Sequence, residues 1–312
     1  LVTDYKLPNG KIKFTNFFSN GKTEGITRQE YFDIIYNNRQ FSLSHSNGTL
    51  NILTNGLTVQ QDLPWFSYDA RLSHSYSETK DPDGWNAKFV QTSADLGSFI
   101  NKTDVNPRDI PLAVSQDYSS SYLNTISTSS NFSRERALTA SLDPKRRFDF
   151  ANNITAEFKM GGKYRYQRRS YDYEYIDGQS LNGSVSQYAD YLICDALGIP
   201  RTYTIPVTYF IDPTYDYGEF LGGDFKMGAP LNYAKVLQMV QTLKSNRELI
   251  AETGNKVSYS RNNYESLTYD YSGHEDQSAF YVMSTIKYGD LITFIPGVRY
   301  QHLQTTYTGV RG

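Results

Sequence analysis

The 312-residue chain lacks any long apolar run, and its mean hydropathy is −0.57. A membrane-spanning helix needs about 20 consecutive apolar residues, so the sequence excludes one. Cys194 is the single cysteine, which rules out an intrachain disulfide. The net charge is −2 and the isoelectric point is near 6.1, so there is no basic surplus of the kind that nucleic-acid-binding proteins carry. We therefore expect no nucleic-acid partner.

The sequence also lacks a recognisable catalytic or metal-binding arrangement. Its four histidines have no ligand spacing with one another or with Cys194. The acidic segments 81–84 and 212–216 lack the spacing of a calcium-binding loop and are interpreted as turns. We predict that the protein is not an enzyme and that it uses neither a metal ion nor a cofactor.

What is present is a strict alternation of side-chain character from Ile154 to Gln167. Even positions are apolar or aromatic except for Gly162, and odd positions are polar or charged except for Gly161. A strand points successive side chains to opposite faces, so this segment has one apolar face and one charged face. The alternation is longer than a soluble strand requires and is typical of a strand between lipid and water.

Short turns and long loops alternate along the chain. Tight turns between alternating strands are predicted at 8–10, 62–64, 151–153 and 288–290. Long polar loops are predicted at about 21–47, 79–131 and 178–271. Short turns at one end and long loops at the other are typical of outer-membrane barrels. Helical spacing of apolar residues predicts short helices at 184–197 and 231–243, inside the last loop.

Together these patterns predict an all-β fold. We expect a partial transmembrane antiparallel up-and-down β-barrel, about eight strands of a larger barrel, with long extracellular loops that carry short helices. Residues 1–312 would form a single segment of this kind. A complete eight-stranded barrel is the alternative, but its narrow lumen would have to pair many inward charges.

The predicted strand from Arg134 to Phe150 departs from this pattern. Pro144 and Arg146 fall on the same face as Leu138 and Phe148. An arginine that faces lipid costs about 2–4 kcal/mol at mid-membrane and little near the interface. Arg146 lies close to a turn, so either its guanidinium snorkels toward water or Pro144 marks a bulge.

The alternation assigns side chains to two environments. The residues expected to face lipid are Tyr68, Leu72, Phe158, Phe294 and Val298. The residues expected to face the lumen are Asp69, Arg71, Glu157, Lys159, Lys163, Arg165 and Arg299. The excess of tyrosine, 27 residues against 2 tryptophans, suits membrane girdles or ligand-facing loops.

A candidate ligand site is predicted beyond residue 169. Tyrosines there occupy odd positions of the strand, which belong to the face that carries the charged residues lower down. Above a membrane that face looks into a vestibule, where amphipathic rings suit contact with a ligand and arginines attract an anionic one. The candidate residues are Arg168, Arg169, Tyr171, Tyr173 and Tyr175, with Tyr209, Tyr215 and Tyr217 from the long loop. The alternative is that the tyrosines pack loops together and the arginines are solvated.

Several segments resemble the barrel of TonB-dependent outer-membrane receptors, specifically a large subgroup without a well-defined substrate. The resemblance covers nearly the whole chain, in strands and in loops. It is carried by residues 7–19 (LPNGKIKFTNFFS), 72–78 (LSHSYSE), 153–166 (NITAEFKMGGKYRY), 168–174 (RRSYDYE), 206–213 (PVTYFIDP) and 294–300 (FIPGVRY).

The resemblance implies a transporter in the cell outer membrane of a Gram-negative bacterium, which takes up a nutrient such as a siderophore or a glycan. Implied partners are outer-membrane lipid, the small nutrient ligand and the TonB complex, with a surface lipoprotein left open. The family's plug domain, TonB-contacting box and terminal aromatic residue have no match here. We therefore expect a middle section of the barrel, with TonB contacted through the missing N-terminal region.

Two other functions stay open at this point. A passive porin or small structural barrel would need no plug. A soluble carbohydrate-active β protein would place two carboxylates within about 10 Å of each other on inward faces. The second alternative leaves the long apolar alternation unexplained.

Overall fold

The computed structural model describes residues 1–100, 102, 104–115, 117–150, 153–179, 187–202, 204–225, 227–228, 230–252 and 259–310. Within this part of the chain, ten strands form one antiparallel sheet. Their bounds are β1 Val2–Leu7, β2 Gly10–Asp33, β3 Asn38–Asp62, β4 Ser67–Thr92, β5 Ser121–Phe150, β6 Ile154–Gln179, β7 Ser260–Arg261, β8 Tyr271–Tyr288, β9 Ile292–Phe294 and β10 Gly297–Gly309.

The sheet follows an up-and-down path. Its order is β1-β2-β3-β4-β5-β6-β8-β10, with β7 paired to β6 and β9 paired to β8. This confirms the predicted all-β, antiparallel architecture with eight principal strands. The sheet is open, and β1 and β10 are its two edges.

Residues with left-handed backbone conformation close the tight turns. Asn9 between β1 and β2 has φ 59°, Gly289 after β8 has φ 52°, and Asn153 just before β6 has φ 59°. Asparagine and glycine adopt this conformation more readily than other residues, which is why these turns can be so short. The first two residues of the predicted turn 151–153 lie outside the described part of the chain.

The predicted loop bounds are partly wrong. Residues 21–47 are not a loop, because β2 and β3 continue to Asp33 and Asn38 and a short turn joins them. The second loop is 93–120 rather than 79–131, and the third begins after Gln179 rather than at 178. Backbone hydrogen bonding carries the strands past the point where the apolar alternation ends, so side-chain patterns could not show their full length.

Short helices occupy the connections at the long-loop end. They are α1 Ile110–Ala113, α2 Gln187–Leu197, α3 Tyr233–Ser245, α4 Arg247–Glu252 and α5 Asn263–Tyr269. Helix α3 begins after Asn232, whose side chain accepts a hydrogen bond from the backbone N–H of Lys235. The predicted helices at 184–197 and 231–243 correspond to α2 and α3, although 184–186 lie outside the described residues. No helix in the described part of the chain is long and apolar enough to cross a membrane.

The lower sheet has two chemically distinct faces. The strand register places Tyr68, Leu72, Phe158, Phe294 and Val298 on one side, here called the apolar face. The same register places Asp69, Arg71, Glu157, Lys159, Lys163, Arg165 and Arg299 on the other side, the charged face. Phe158 leaves 45% of its surface exposed and Phe294 leaves 61%, so the described residues do not cover the apolar face.

The structure shows no bulge at Pro144, which was one of the two predicted explanations for this strand. The pairing of Leu142 with Gly162 and of Lys145 with Lys159 keeps one register on both sides of Pro144, so there is no bulge. Pro144 has no N–H and only interrupts the hydrogen bonding. The guanidinium of Arg146 lies 4.6 Å from the centre of the Phe148 ring, with its stem along the apolar face.

On the charged face, a glycine allows contact across a whole strand. The hydroxyl of Tyr281 on β8 donates a 2.5 Å hydrogen bond to Asp143 on β5, and β6 lies between them. The Tyr281 ring passes directly over Gly161. A Cβ atom at Gly161 would overlap both the Asp143 carboxylate and this ring. The absent side chain is therefore what lets the two outer strands bond to each other.

We predict that Gly161→Ala lowers the free energy of unfolding by about 1–3 kcal/mol, because the new methyl group overpacks this contact. Gly162→Ala is the matched control. Its Cβ would lie 3.3 Å from the ring of Phe280, which is exposed and free to rotate away. Equilibrium denaturant unfolding compares the two variants, and equal losses would contradict the proposed contact.

Candidate functional site

Above the apolar stretch, the same side of the sheet becomes the wall of a buried core. Strand residues Phe41, Leu43, Trp85, Ala87, Phe89, Leu123, Ile126 and Ile176 pack there against Ile193, Val236, Met239, Val240 and Leu243 of α2 and α3. Ile176 and Phe158 both occupy even positions of the uninterrupted strand β6, so they share a face. The described residues between β6 and β7, which include α2, α3 and α4, are here called the helical insert, and their core lies on the apolar-face side.

A buried ion pair fixes this insert to the sheet. Arg39 is 1% exposed and pairs with Glu30 on the neighbouring strand β2. Arg39 also donates to the carbonyl of Ser115 at 3.0 Å, and Glu30 accepts from the N–H of Gly228 at 2.6 Å. Breaking a buried pair by removing one partner is strongly destabilising, so this contact ties both long connections to β2 and β3.

The opposite, charged face carries a column of stacked tyrosines. Tyr171 and Tyr173 have ring centres 6.4 Å apart with a 17° interplanar angle, and Tyr173 and Tyr175 are 6.2 Å apart at 15°. Tyr271 of β8 lies 6.1 Å from Tyr171 at 18°. We call these four residues the tyrosine ladder. Alternate residues of one strand share a face, so the column follows directly from the spacing along β6.

An ionic network forms the base of the ladder. The guanidinium of Arg169 lies 2.8 Å from Glu135 and 3.9 Å from Glu275. The Tyr307 hydroxyl donates to Glu275 at 2.6 Å, and its ring covers Gly273, where a Cβ would collide with it. Glycine beneath a tyrosine thus recurs on this face, as at Gly161. The arginine charge is compensated locally.

Two rungs of the ladder, Tyr171 and Tyr173, hold their protons more tightly than free tyrosine does. Burial raises the pKa of Tyr171 and Tyr173, with nearby acidic and phenolic groups adding to the effect. The pKa of Tyr307 is raised mainly by its hydrogen bond to Glu275. The site therefore offers flat apolar rings and protonated hydroxyl donors, which suit stacking against a ring-shaped ligand.

The structure separates the residues predicted for the ligand site. Tyr171, Tyr173, Tyr175 and Arg169 lie together on the charged face. Tyr209, Tyr215 and Tyr217 lie in the insert on the other side of the sheet. There, Arg28 sits 4.2 Å over the Tyr215 ring, and burial raises the pKa of Tyr217 to about 12. Arg168 points away from Arg169, as alternation along a strand requires.

Sequence reasoning missed four residues of this site, namely Tyr271, Tyr307, Glu135 and Glu275. The alternation Tyr271, Gly273, Glu275 is visible in the sequence. Its alignment with Tyr171 and Arg169 depends on the pairing of β6 with β8 across the long connection. That pairing is not a local property of the chain.

Comparisons with known proteins supply no relative. No protein-family model matches the chain, and neither the curated proteins nor the solved structures contain a match. Function must therefore be inferred from the sheet and its two faces.

Tyr259 offers a test of how the insert is held, because it is 1% exposed and its hydroxyl lies 2.7 Å from that of Thr128 on β5. Burial raises its pKa to about 12, from an ordinary value of about 10. A group whose pKa rises on folding stabilises the fold fully below its unfolded pKa. That stability is lost as the pH rises from about 10 toward 12.

We predict that limited proteolysis within the insert accelerates between about pH 10 and pH 12 in the wild-type protein, and less steeply in Tyr259→Phe, which cannot ionise. Tyr264→Phe, at an exposed position of α5, should keep the wild-type pH dependence. Identical pH profiles for all three proteins would contradict the assigned role of the Tyr259 hydroxyl.

Proposed function

We propose that this chain forms part of the barrel wall of a TonB-dependent receptor in the outer membrane of a Gram-negative bacterium, where it contributes to uptake of a scarce nutrient. The observation that carries the proposal is the exposed apolar face of an eight-stranded up-and-down sheet whose other face is charged. Soluble monomers rarely expose a contiguous apolar patch larger than a few hundred Å².

The height of the apolar face supports a membrane location. From Ile154 to Tyr166 the strand rises about 40 Å, at about 3.4 Å per residue. With the tilt of about 40° usual in such barrels, this corresponds to about 30 Å along the membrane normal. The hydrocarbon core of a bilayer is about 30 Å thick, so one strand would cross it with its apolar side outward.

The charged face supports a wide, wet lumen. Among the described residues, Glu157, Lys159, Lys163 and Arg165 form no ion pair with one another. A narrow, filled barrel would have to bury and pair such charges, whereas water solvates them in a wide one. The open edges at β1 and β10 must also be covered in a membrane, because unpaired backbone groups are not tolerated in hydrocarbon. The proposal therefore includes further strands beside both edges.

In this proposal the tyrosine ladder contacts the nutrient, which could be a siderophore, a glycan or a similar compound with ring groups. The ladder lies on the charged face above the apolar stretch, where the vestibule of a receptor would be. Binding would need neither catalysis nor a cofactor. Energy coupling through the TonB complex, and cooperation with a surface lipoprotein, are assigned to no residue of this chain.

The membrane location is tested with a pair of neighbouring substitutions. Phe158→Arg places a charge on the apolar face and should cost about 2–4 kcal/mol at mid-membrane, enough to impair barrel assembly. Lys159→Ser changes the charged face and should be tolerated. Heat-modifiable gel mobility of outer-membrane fractions reports assembly. Equal behaviour of the two variants, or recovery of the wild-type protein in the soluble fraction, would contradict the proposal.

The ligand site is tested by growth and uptake on a panel of glycans and ferric siderophores. Tyr171→Ala combined with Tyr173→Ala should weaken the response to one of these nutrients about tenfold, since each aromatic contact contributes about 0.5–1.5 kcal/mol. Tyr215→Ala combined with Tyr217→Ala removes two tyrosines from the other side of the sheet and is the matched control. A larger loss in the control pair would move the site to the insert.

A further inference from the structure

Three arginines stand on the apolar-face side immediately above the apolar stretch. Arg134 and Arg136 lie on β5 and Arg168 lies on β6, and all three are exposed. With Tyr76, Arg169 and Ser170 they line a cleft of about 200 Å³. We call Arg134, Arg136 and Arg168 the arginine cluster.

The arrangement of the cluster is unfavourable unless an anion joins it. Arg136 and Arg168 are direct cross-strand partners, and like charges in that relation repel each other. Their neighbours in the same row are Tyr76 on one side and His274 on the other, so the row contains no acid.

Three acids flank the cluster on its own face, and none of them forms an ion pair with it: Glu78 on β4, Asp172 on β6 and Asp276 on β8. Glu78 is the cross-strand neighbour of Arg134, but its carboxylate pairs with Lys80 at 2.8 Å and accepts from Tyr76 at 2.6 Å. No carboxylate in the described part of the chain forms an ion pair with any arginine of the cluster. Arg169, one residue away on the other face, has two acidic partners.

The cluster also lies at a defined distance above the apolar stretch, measured along the strands. The cross-strand pair just below it, Leu138 and Tyr166, closes the top of the apolar stretch, only about 7 Å away along the strands. Aromatic rings flank the guanidinium groups, with Arg136 at 5.4 Å from the ring of its cross-strand neighbour Tyr76 and Arg134 at 5.2 Å from the Phe132 ring, which lies on the loop side of it. Charged heads on apolar stems at this level are placed as residues at a membrane interface are.

We propose that the arginine cluster binds the phosphate group of an anionic lipid in the outer leaflet. Guanidinium forks recognise phosphate oxygens in a bidentate way, and a phosphate monoester carries about −1.5 to −2 charges, enough to offset the Arg136–Arg168 repulsion. The acyl chains of such a lipid would lie along Leu138 and Leu142, on the same face directly below. This continuity of phosphate site and apolar surface favours a lipid over a soluble phosphate.

The inference rests on the proposed membrane location but is independent of the nutrient site. Arg168 faces away from the tyrosine ladder, so lipid and nutrient would occupy opposite faces of β6. The cluster would fix the depth of the wall in the membrane and occupy the outer-leaflet lipid around it.

The experiment uses native mass spectrometry of the protein extracted in dodecyl maltoside from membranes of cells that express the intact gene. Diphosphoryl lipid A is titrated in, with phosphatidylcholine and sodium pyrophosphate as separate probes. The variants are Arg136→Gln with Arg168→Gln, the conservative pair Arg136→Lys with Arg168→Lys, and Lys163→Gln with Arg165→Gln as a control of equal charge change on the other face.

We expect the glutamine pair to bind lipid A about 25-fold more weakly than the wild-type protein, at roughly fivefold per interfacial arginine. The lysine pair should retain most of the binding, and the control pair should match the wild-type protein. Phosphatidylcholine should bind equally to all forms. Pyrophosphate binding that equals that of lipid A would overturn the lipid assignment, as would unchanged lipid A binding in the glutamine pair.

Failure of this inference and failure of the proposed function are distinguishable in the same samples. If the wild-type protein is absent from the membrane fraction, both the lipid-binding inference and the proposed function are contradicted. If all forms assemble in the membrane with heat-modifiable mobility and the glutamine pair still binds lipid A normally, only the arginine cluster is wrongly assigned.

Discussion

A single constraint governs the fold: one side of the lower sheet is apolar, and none of the residues that the structure describes forms a layer against it. Burying a large apolar side chain contributes about 1.5–3 kcal/mol, so a whole face of exposed Phe158, Phe294 and Val298 is not stable in water. The opposite face carries Lys159 and Arg165. Burying it in a dry protein interior would also be unfavourable, because charged groups lose their hydration there. The proposed position between lipid and water suits both faces, and the functional proposals above rest on that position.

The two faces exchange roles above the apolar stretch. The side that is bare below becomes the support of a packed core, where Ile176 contacts the helical insert and the Arg39–Glu30 pair holds the connections. The side that is charged below carries the tyrosine ladder and its ionic base around Arg169. Strand β6 runs through both zones with unbroken alternation, so the position of a residue along this strand decides whether it lies on the bare apolar face, against the loop core or in the tyrosine ladder.

The sequence predicts which side chains of one strand share a face, because this depends only on whether their positions are odd or even. The opposite faces of Phe158 and Lys159, and the common face of Tyr171, Tyr173 and Tyr175, follow from spacing alone. Features that depend on register between distant strands could not be predicted, such as Tyr271 beside Tyr171 or Arg136 opposite Arg168. The upper halves of β2 and β3 were mistaken for a loop because backbone pairing continues there without an apolar alternation. Tyr215 and Tyr217 were grouped with the ladder because position in a loop does not reveal which face the loop covers.

The most direct measurement of the membrane constraint is collision accessibility of spin labels placed one at a time at positions 154–167 in the membrane-embedded protein. The native Cys194 is fully buried and shielded from the label. The account predicts that accessibility to lipid-soluble oxygen peaks at even positions and accessibility to a water-soluble nickel chelate peaks at odd positions. A nickel chelate that reached the labels at Phe158 and Met160 as readily as those at Lys159 and Lys163 would contradict it.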